Sequence, residues 1–132
     1  MTTRGKFKLA RQLADKGAFA EVHLEIEAAP VSSISFGDCD CTECLPDGDP
    51  VYSAAVTFGI RFALEKLIFL GGYPRNFAVR VSKIYTMSVD STEGFVAYAA
   101  SAAVFAALGR SDTPMELNMQ IRAVILSYDQ SA

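Results

Sequence analysis

Charge is scarce in this sequence, histidine occurs once, and the phosphate-binding loop of nucleotide hydrolases does not occur at all. Lys, Arg, Asp and Glu make up 20% of the 132 residues, against 51% hydrophobic residues. That is apolar for a small soluble protein, and the excess points to surface that covers a partner, in the simplest case a second copy of the chain. No Gly-x-x-x-x-Gly-Lys-Ser/Thr run is present, which excludes hydrolysis of the phosphate-loop kind. The single histidine, His23, lies between Val22 and Leu24 and shares its face with Glu21 and Glu25. A general base needs a cleft and a substrate within hydrogen-bond reach, so this setting reads as a solvated or salt-bridged side chain. Long apolar runs are missing too. Residues 94–109 form the longest uncharged stretch and are mostly small, which is too short and too weakly apolar for a bilayer crossing of about 20 residues. Residues 1–16 carry charges throughout and no apolar segment, so no secretory signal is read there. The expectation is a soluble, cytoplasmic, non-enzymatic protein that takes no cofactor and keeps its three cysteines reduced.

The charge that is present is unevenly placed. Net charge is −3, yet Arg4, Lys6, Lys8, Arg11 and Lys16 cluster near the N-terminus, while Asp38, Asp40, Glu43, Asp47 and Asp49 crowd one later stretch. Binding to nucleic acid through phosphates calls for a basic face. The whole-chain balance weighs against it and the N-terminal basic residues keep it open.

A length of 132 residues suits one domain, here 1–132, large enough to bury roughly two-thirds of its unfolded surface. Residues 6–12 alternate, with Phe7 and Leu9 on one side, and Ala14-Asp15-Lys16-Gly17 reads as a turn. Alternation resumes over 19–28, where Val22, Leu24 and Ile26 oppose Glu21, His23, Glu25 and Glu27. Together these predict a hairpin with one solvated face, a short helix over 9–14 being the alternative. Pro30 interrupts, residues 32–36 predict a third strand, and the acidic stretch to residue 50 has no periodicity. Val56, Ile60, Ala63, Leu64, Leu67 and Ile68 predict a helix over 52–70, stopped by Gly71-Gly72. Phe77, Val79 and Val81 predict a strand over 77–85. Asp90 or Ser91 then caps a helix over 93–108 whose small residues let it lie close against a sheet, and Gly109 ends it. In the last segment, Thr113-Pro114-Met115-Glu116 fits a capping box, so 110–132 reads as a helical extension. Met115, Leu117, Met119 and Ile121 also alternate, which leaves a strand open there. The order predicts an α+β two-layer sandwich, with a mostly antiparallel four-stranded sheet and the helices on one face.

Two stretches add a family likeness. The first runs from Tyr52 through Val56 and Gly59-Ile60 to Ala63-Leu64-Glu65, and exits at Gly72-Tyr73-Pro74. The second pairs Val79-Arg80-Val81-Ser82 with Val89-Asp90-Ser91-Thr92-Glu93. Upstream, Gly5-Lys6-Phe7 and Arg11-Gln12 extend the pattern. Residues 5–109 thus resemble domain IV of bacterial elongation factor G. The resemblance implies a ribosomal protein S5 domain 2-like fold and a ribosome or RNA as partner. It also implies that two tip loops carry the contact, which here are Lys16 and Gly17 in the first and Tyr85, Ser88 and Asp90 in the second. Departures fall on those same loops. The family's glycine-rich, arginine-bearing loop is replaced by Ala14-Asp15-Lys16-Gly17, Met87-Ser88 stands where the functional histidine belongs, and Glu21 replaces a strand histidine. The translocating GTPase activity is therefore not expected.

Other constellations have plainer readings beside the chemical ones. Cys39, Cys41 and Cys44 lie among acids and are candidate zinc ligands, with His23 or a carboxylate as fourth. No further cysteine exists to close the site, and incidental thiols or a Cys39–Cys44 disulfide are the alternatives. Asp90, Ser91 and Glu93 read as helix capping, not as a nucleophile cluster. Phe58, Phe62, Phe69 and Tyr98 read as core or interface, leaving Tyr85 as the candidate stacking platform. Two functions follow: a non-catalytic module for ribosome or RNA binding, or a homo-oligomeric interaction domain.

Overall fold

The computed structural model describes residues 2–13, 16–36, 50–87, 90–119 and 123–126. Cys39, Cys41, Cys44 and Ser88 lie outside them. Strands Thr3–Leu13 (β1) and Lys16–Ala28 (β2) pair antiparallel in unbroken register, from Thr3 opposite Ile26 to Leu13 opposite Lys16. The short helix considered for 9–14 is replaced by strand as far as Leu13, because Leu9 continues the buried row that Gly5 begins. Ser33–Phe36 (β3), helix Pro50–Leu70 (α1), Phe77–Tyr85 (β4) and helix Glu93–Ala107 (α2) follow. The sheet order is β1-β2-β4-β3, with β4 antiparallel to β2 and β3 parallel to β4. The architecture is the expected α+β arrangement, a mixed four-stranded sheet with two helices packed against it.

Burial follows the period-two pattern along β2, where Ala18, Ala20, Val22, Leu24 and Ile26 are buried and the intervening side chains are more open. On β4 that pattern breaks. Phe77, Val79 and Val81 point into the core, but His23 pairs with Lys83 and Leu24 with Val81, so Ser82 is an extra residue. This β-bulge shifts the phase by one. Ile84 becomes the next buried residue, and Lys83 and Tyr85 turn to the other face. The Ser82 hydroxyl donates to the His23 carbonyl at 3.2 Å, which fastens the bulge.

Helix α2 is buried on nearly every side, from Phe95 to Ala107. A helix apolar all round must be enclosed, and α2 lies against β1 and β2 while α1 packs on it. Two glycines permit the approach. A Cβ on Gly5 would collide with the Ala103 carbonyl oxygen, and one on Gly59 with the Ala97 carbonyl oxygen. The helix begins at Thr92, whose hydroxyl accepts from the Phe95 N–H at 3.1 Å. The cap is thus Thr92, not Asp90 or Ser91, with Glu93 the acid of the first turn.

The C-terminal segment corrects the helical expectation for 110–132. Its described residues form two short strands, Met115–Asn118 (β5) and Ala123–Leu126 (β6), paired antiparallel. Thr113 does not cap a helix; its hydroxyl donates to the Met115 carbonyl at 3.0 Å. Alternation wins because Met115 is buried while Leu117 and Val124 pack on the same core. Arg110 fastens the turn after α2. Its guanidinium lies 5.1 Å from the Phe105 ring centroid, donates to the Tyr73 hydroxyl, and grips Asp112 through bonds of 3.0 and 2.8 Å.

Two consequences are measurable. Gly59→Ala should destabilise the protein by about 1–3 kcal/mol in denaturant unfolding, although alanine favours an isolated helix by ~1 kcal/mol. Equal or greater stability in the variant would mean that the helices do not approach as described. The second concerns Asp112, whose carboxyl is held below its ordinary range chiefly by the Arg110 hydrogen bond. A depressed pKa stabilises above the unfolded carboxylate value of roughly 3.9 and is lost as pH falls through the lowered folded value. Because the Asp112 side chain is 56% exposed, the contribution should not exceed about 1 kcal/mol. Asp112→Asn should therefore differ from the parent protein near neutral pH and converge with it in strong acid.

Candidate binding surface at the hairpin tip

Two segments far apart in sequence meet at one end of the sheet. One is the start of β2, with Lys16, Gly17 and Phe19; the other is the connection from β4 to α2, with Tyr85, Met87 and Asp90. Ser91, buried at 8% exposure, joins them. Its hydroxyl donates to the Phe19 carbonyl at 2.6 Å and accepts from the Met87 N–H at 2.8 Å. Its own N–H reaches the Met87 carbonyl at 2.9 Å, and the Phe19 N–H donates to the Asp90 carbonyl at 2.9 Å. Each backbone group so engaged would otherwise be a desolvated orphan.

The structure divides the expected tip residues. Gly17 is buried, and a Cβ there would come within 2.7 Å of the Asp90 carboxyl carbon. Gly17 is therefore a site of close packing, and Asp90 is its neighbour. Lys16 is exposed at the start of β2. Tyr85 is half-buried and lines a depression of about 420 Å³ with Phe19, Glu21, Thr86 and Met87. Ser88 falls outside the described residues. Phe19 and Glu21 were absent from the sequence-derived tip set. The available signal was their alternation with Ala20 and Val22, which places both on the outer face beside His23.

Two of the lining residues, Glu21 and Tyr85, are held in place by the neighbouring His23. The His23 ring Nε2 lies within hydrogen-bond distance of Glu21 Oε2, at 2.7 Å. The same ring meets Tyr85 edge-on, with centroids 5.9 Å apart, an arrangement that restrains both rings. On the other side, Lys8 Nζ stands 5.9 Å from the Phe19 ring centroid. Among the described residues, no group of three or more His, Cys, Asp or Glu side chains is gathered to hold a metal. Among them also, no helix is long and apolar enough to cross a membrane.

No family model and no curated protein matches the sequence. The fold is shared with the crystal structure of a protein from Thermus thermophilus, at TM-score 0.62 and 22% identity over 93% of this chain. This chain spans only 16% of that protein, and identity so low shows the fold alone. Phosphomevalonate kinase from Streptococcus pneumoniae (TM-score 0.42, 16% identity, 85% of this chain and 35% of that one) is a weaker likeness. So is the Lin0012 protein of Listeria innocua (0.39, 17%, 81% and 34%). Likenesses at that level carry no functional argument.

Ser91→Ala tests the join. It leaves the Phe19 carbonyl and the Met87 N–H short of a partner, so unfolding free energy should fall by about 1–3 kcal/mol. Hydrogen exchange at the Met87 amide should quicken more than exchange in α2. Unchanged protection at Met87 would show that Ser91 does not hold the two segments together.

Proposed function

We propose that this protein is a non-catalytic binding module related to domain IV of elongation factor G, and that its tip engages the ribosome or RNA. One observation carries the reading: the Ser91 hydroxyl ties together the two segments that the resemblance makes a joint tip. A tip built from two loops is useful as a contact surface only if they hold a fixed relation, and this bond supplies it. Around the join lie two aromatic rings and the lysines Lys8 and Lys16, residue types that serve RNA contact. Translocation itself is not part of the proposal, since Met87-Ser88 stands where the family's tip histidine belongs.

A second reading has its own observation. Phe58, Ile68, Phe69 and Leu70 on α1 are exposed, Phe69 at 74%. Exposed apolar side chains of this size suit contact between protein copies, which is the homo-oligomeric alternative.

Co-sedimentation of the purified chain with ribosomes at low salt should succeed and should weaken steeply as salt rises. If the chain neither pellets with ribosomes nor shifts any RNA, the tip reading is wrong. Light scattering at a mass above one chain would then favour the oligomeric reading, and a strict monomer would remove it.

A further inference from the structure

The face of the sheet that the helices leave open carries a pattern of its own. Across β1, β2 and β4, the registers align Arg4, Glu25 and Arg80 in one row, Lys6, His23 and Lys83 in the next, and Lys8, Glu21 and Tyr85 in a third. Bases thus stand on both flanking strands, with acids and histidine between. Glu25 is shared by Arg4 at 3.5 Å and Arg80 at 3.3 Å, and Glu21 is engaged by His23. Lys6, Lys8 and Lys83 make no salt bridge among the described residues. The acidity of the whole chain is concentrated in one stretch of its sequence. Five acids fall within residues 37–49, and the rest of the chain has twelve basic residues against ten acidic ones.

We propose that this open face binds single-stranded RNA, with a base seated between Phe19 and Tyr85 and backbone phosphates on Lys6, Lys8 and Lys83. The inference rests on the RNA reading above and moves its centre from the tip to the sheet. Lysines on an edge strand also guard against edge-to-edge pairing, which is a sufficient reason for Lys6 and Lys8 on β1. It does not account for Lys83, because β4 is an interior strand. Lys83 and Tyr85 reach this face only through the bulge at Ser82, the kind of irregularity that re-aims side chains.

The rings select single strands, since an unpaired base offers a free π-face for stacking and a paired base does not. Phe19 and Tyr85 flank Glu21, which lies opposite Tyr85 and two residues from Phe19 on the same face. The Glu21 carboxylate accepts hydrogen bonds only, so it suits an exocyclic amino group, as on cytosine or adenine. Uracil carries the acceptor O4 where cytosine has its amino group, and its one edge donor, N3–H, lies between two carbonyl oxygens that the carboxylate repels. Lys8 and Lys83 stand on strands two steps apart, roughly 10 Å, placed to hold phosphates on either side of that base.

Fluorescence anisotropy of the full chain with short labelled oligomers of rC, rA and rU, at ~50 mM salt, tests the proposal. Binding of rC and rA should exceed that of rU by about tenfold, and a duplex should compete poorly. The variant K6A/K8A/K83A should lose about tenfold or more in affinity, and its dependence of log K on log salt should flatten by about 2, the sum of three single-strand phosphate contacts. Should that variant lose its fold by circular dichroism, K83A alone serves, with a flattening of about 0.7. Glu21→Ala should narrow the gap between rC and rU. Unchanged affinity and salt slope in the lysine variants, or equal binding of rC, rU and duplex, overturns the proposal. Ribosome co-sedimentation without oligomer binding overturns it while leaving the tip reading intact; loss of both removes the two together.

Discussion

Everything in this fold depends on how closely α2 can be approached from two sides. The helix packs against β1 and β2 of the sheet and against α1, so its neighbours must come within backbone range. Gly5 and Gly59 make that possible, because any side chain at either position would collide with a carbonyl of α2. Seven of the helix's fifteen residues are alanine, which lets its neighbours come close, while Phe95, Tyr98 and Phe105 supply bulk to a densely packed core. A helix so confined has little freedom in where it begins. Its first turn is pinned by Thr92, and the preceding residue, Ser91, is thereby delivered to the start of β2.

That delivery is what creates the tip. Neither the β1–β2 hairpin nor the β4–α2 connection forms the depression alone. Held together by Ser91 and by the Phe19–Asp90 backbone bond, they bring an aromatic residue from each side to a shared depression. The polar residues beside it follow the same logic. Glu21 and His23 satisfy one another at 2.7 Å, which leaves a carboxylate oriented within a surface that is otherwise flanked by lysines. Mixed charge of this kind does not attract every anion equally, and it leaves selectivity to whatever the carboxylate can accept.

Much of the fold was legible from periodicity. Helix α1 showed one period only, of 3.6 residues; in the hairpin the period of two prevailed over the short helix open at 9–14, and β4 formed over its expected span although its alternation breaks at Ser82. The C-terminal segment showed both periods at once. There the outcome depended on whether Met115 and Leu117 could reach the core together, a question of distance from α2 that local pattern does not encode. The site was less legible. Tyr85, Lys16, Gly17 and Asp90 were named from a resemblance, and they do gather at one end. Gly17 and Asp90 prove to be packing partners, while Phe19 and Glu21 were not among the contact residues named, Glu21 standing only as the replacement for a strand histidine.

The bulge at Ser82 draws the boundary most clearly. Strict alternation from Phe77 would put Lys83 and Tyr85 in the core beneath the helices; one extra residue opposite His23 puts them outside and Ile84 inside. By itself the sequence determined the elements from β1 to α2, because hydrophobic spacing and helix stops act over a few residues. Tertiary structure alone decided which side chains share a surface. Strand register, the bulge, and the Ser91 bonds to Phe19 and Met87 depend on groups brought together from opposite parts of the chain, and no local propensity specifies such meetings.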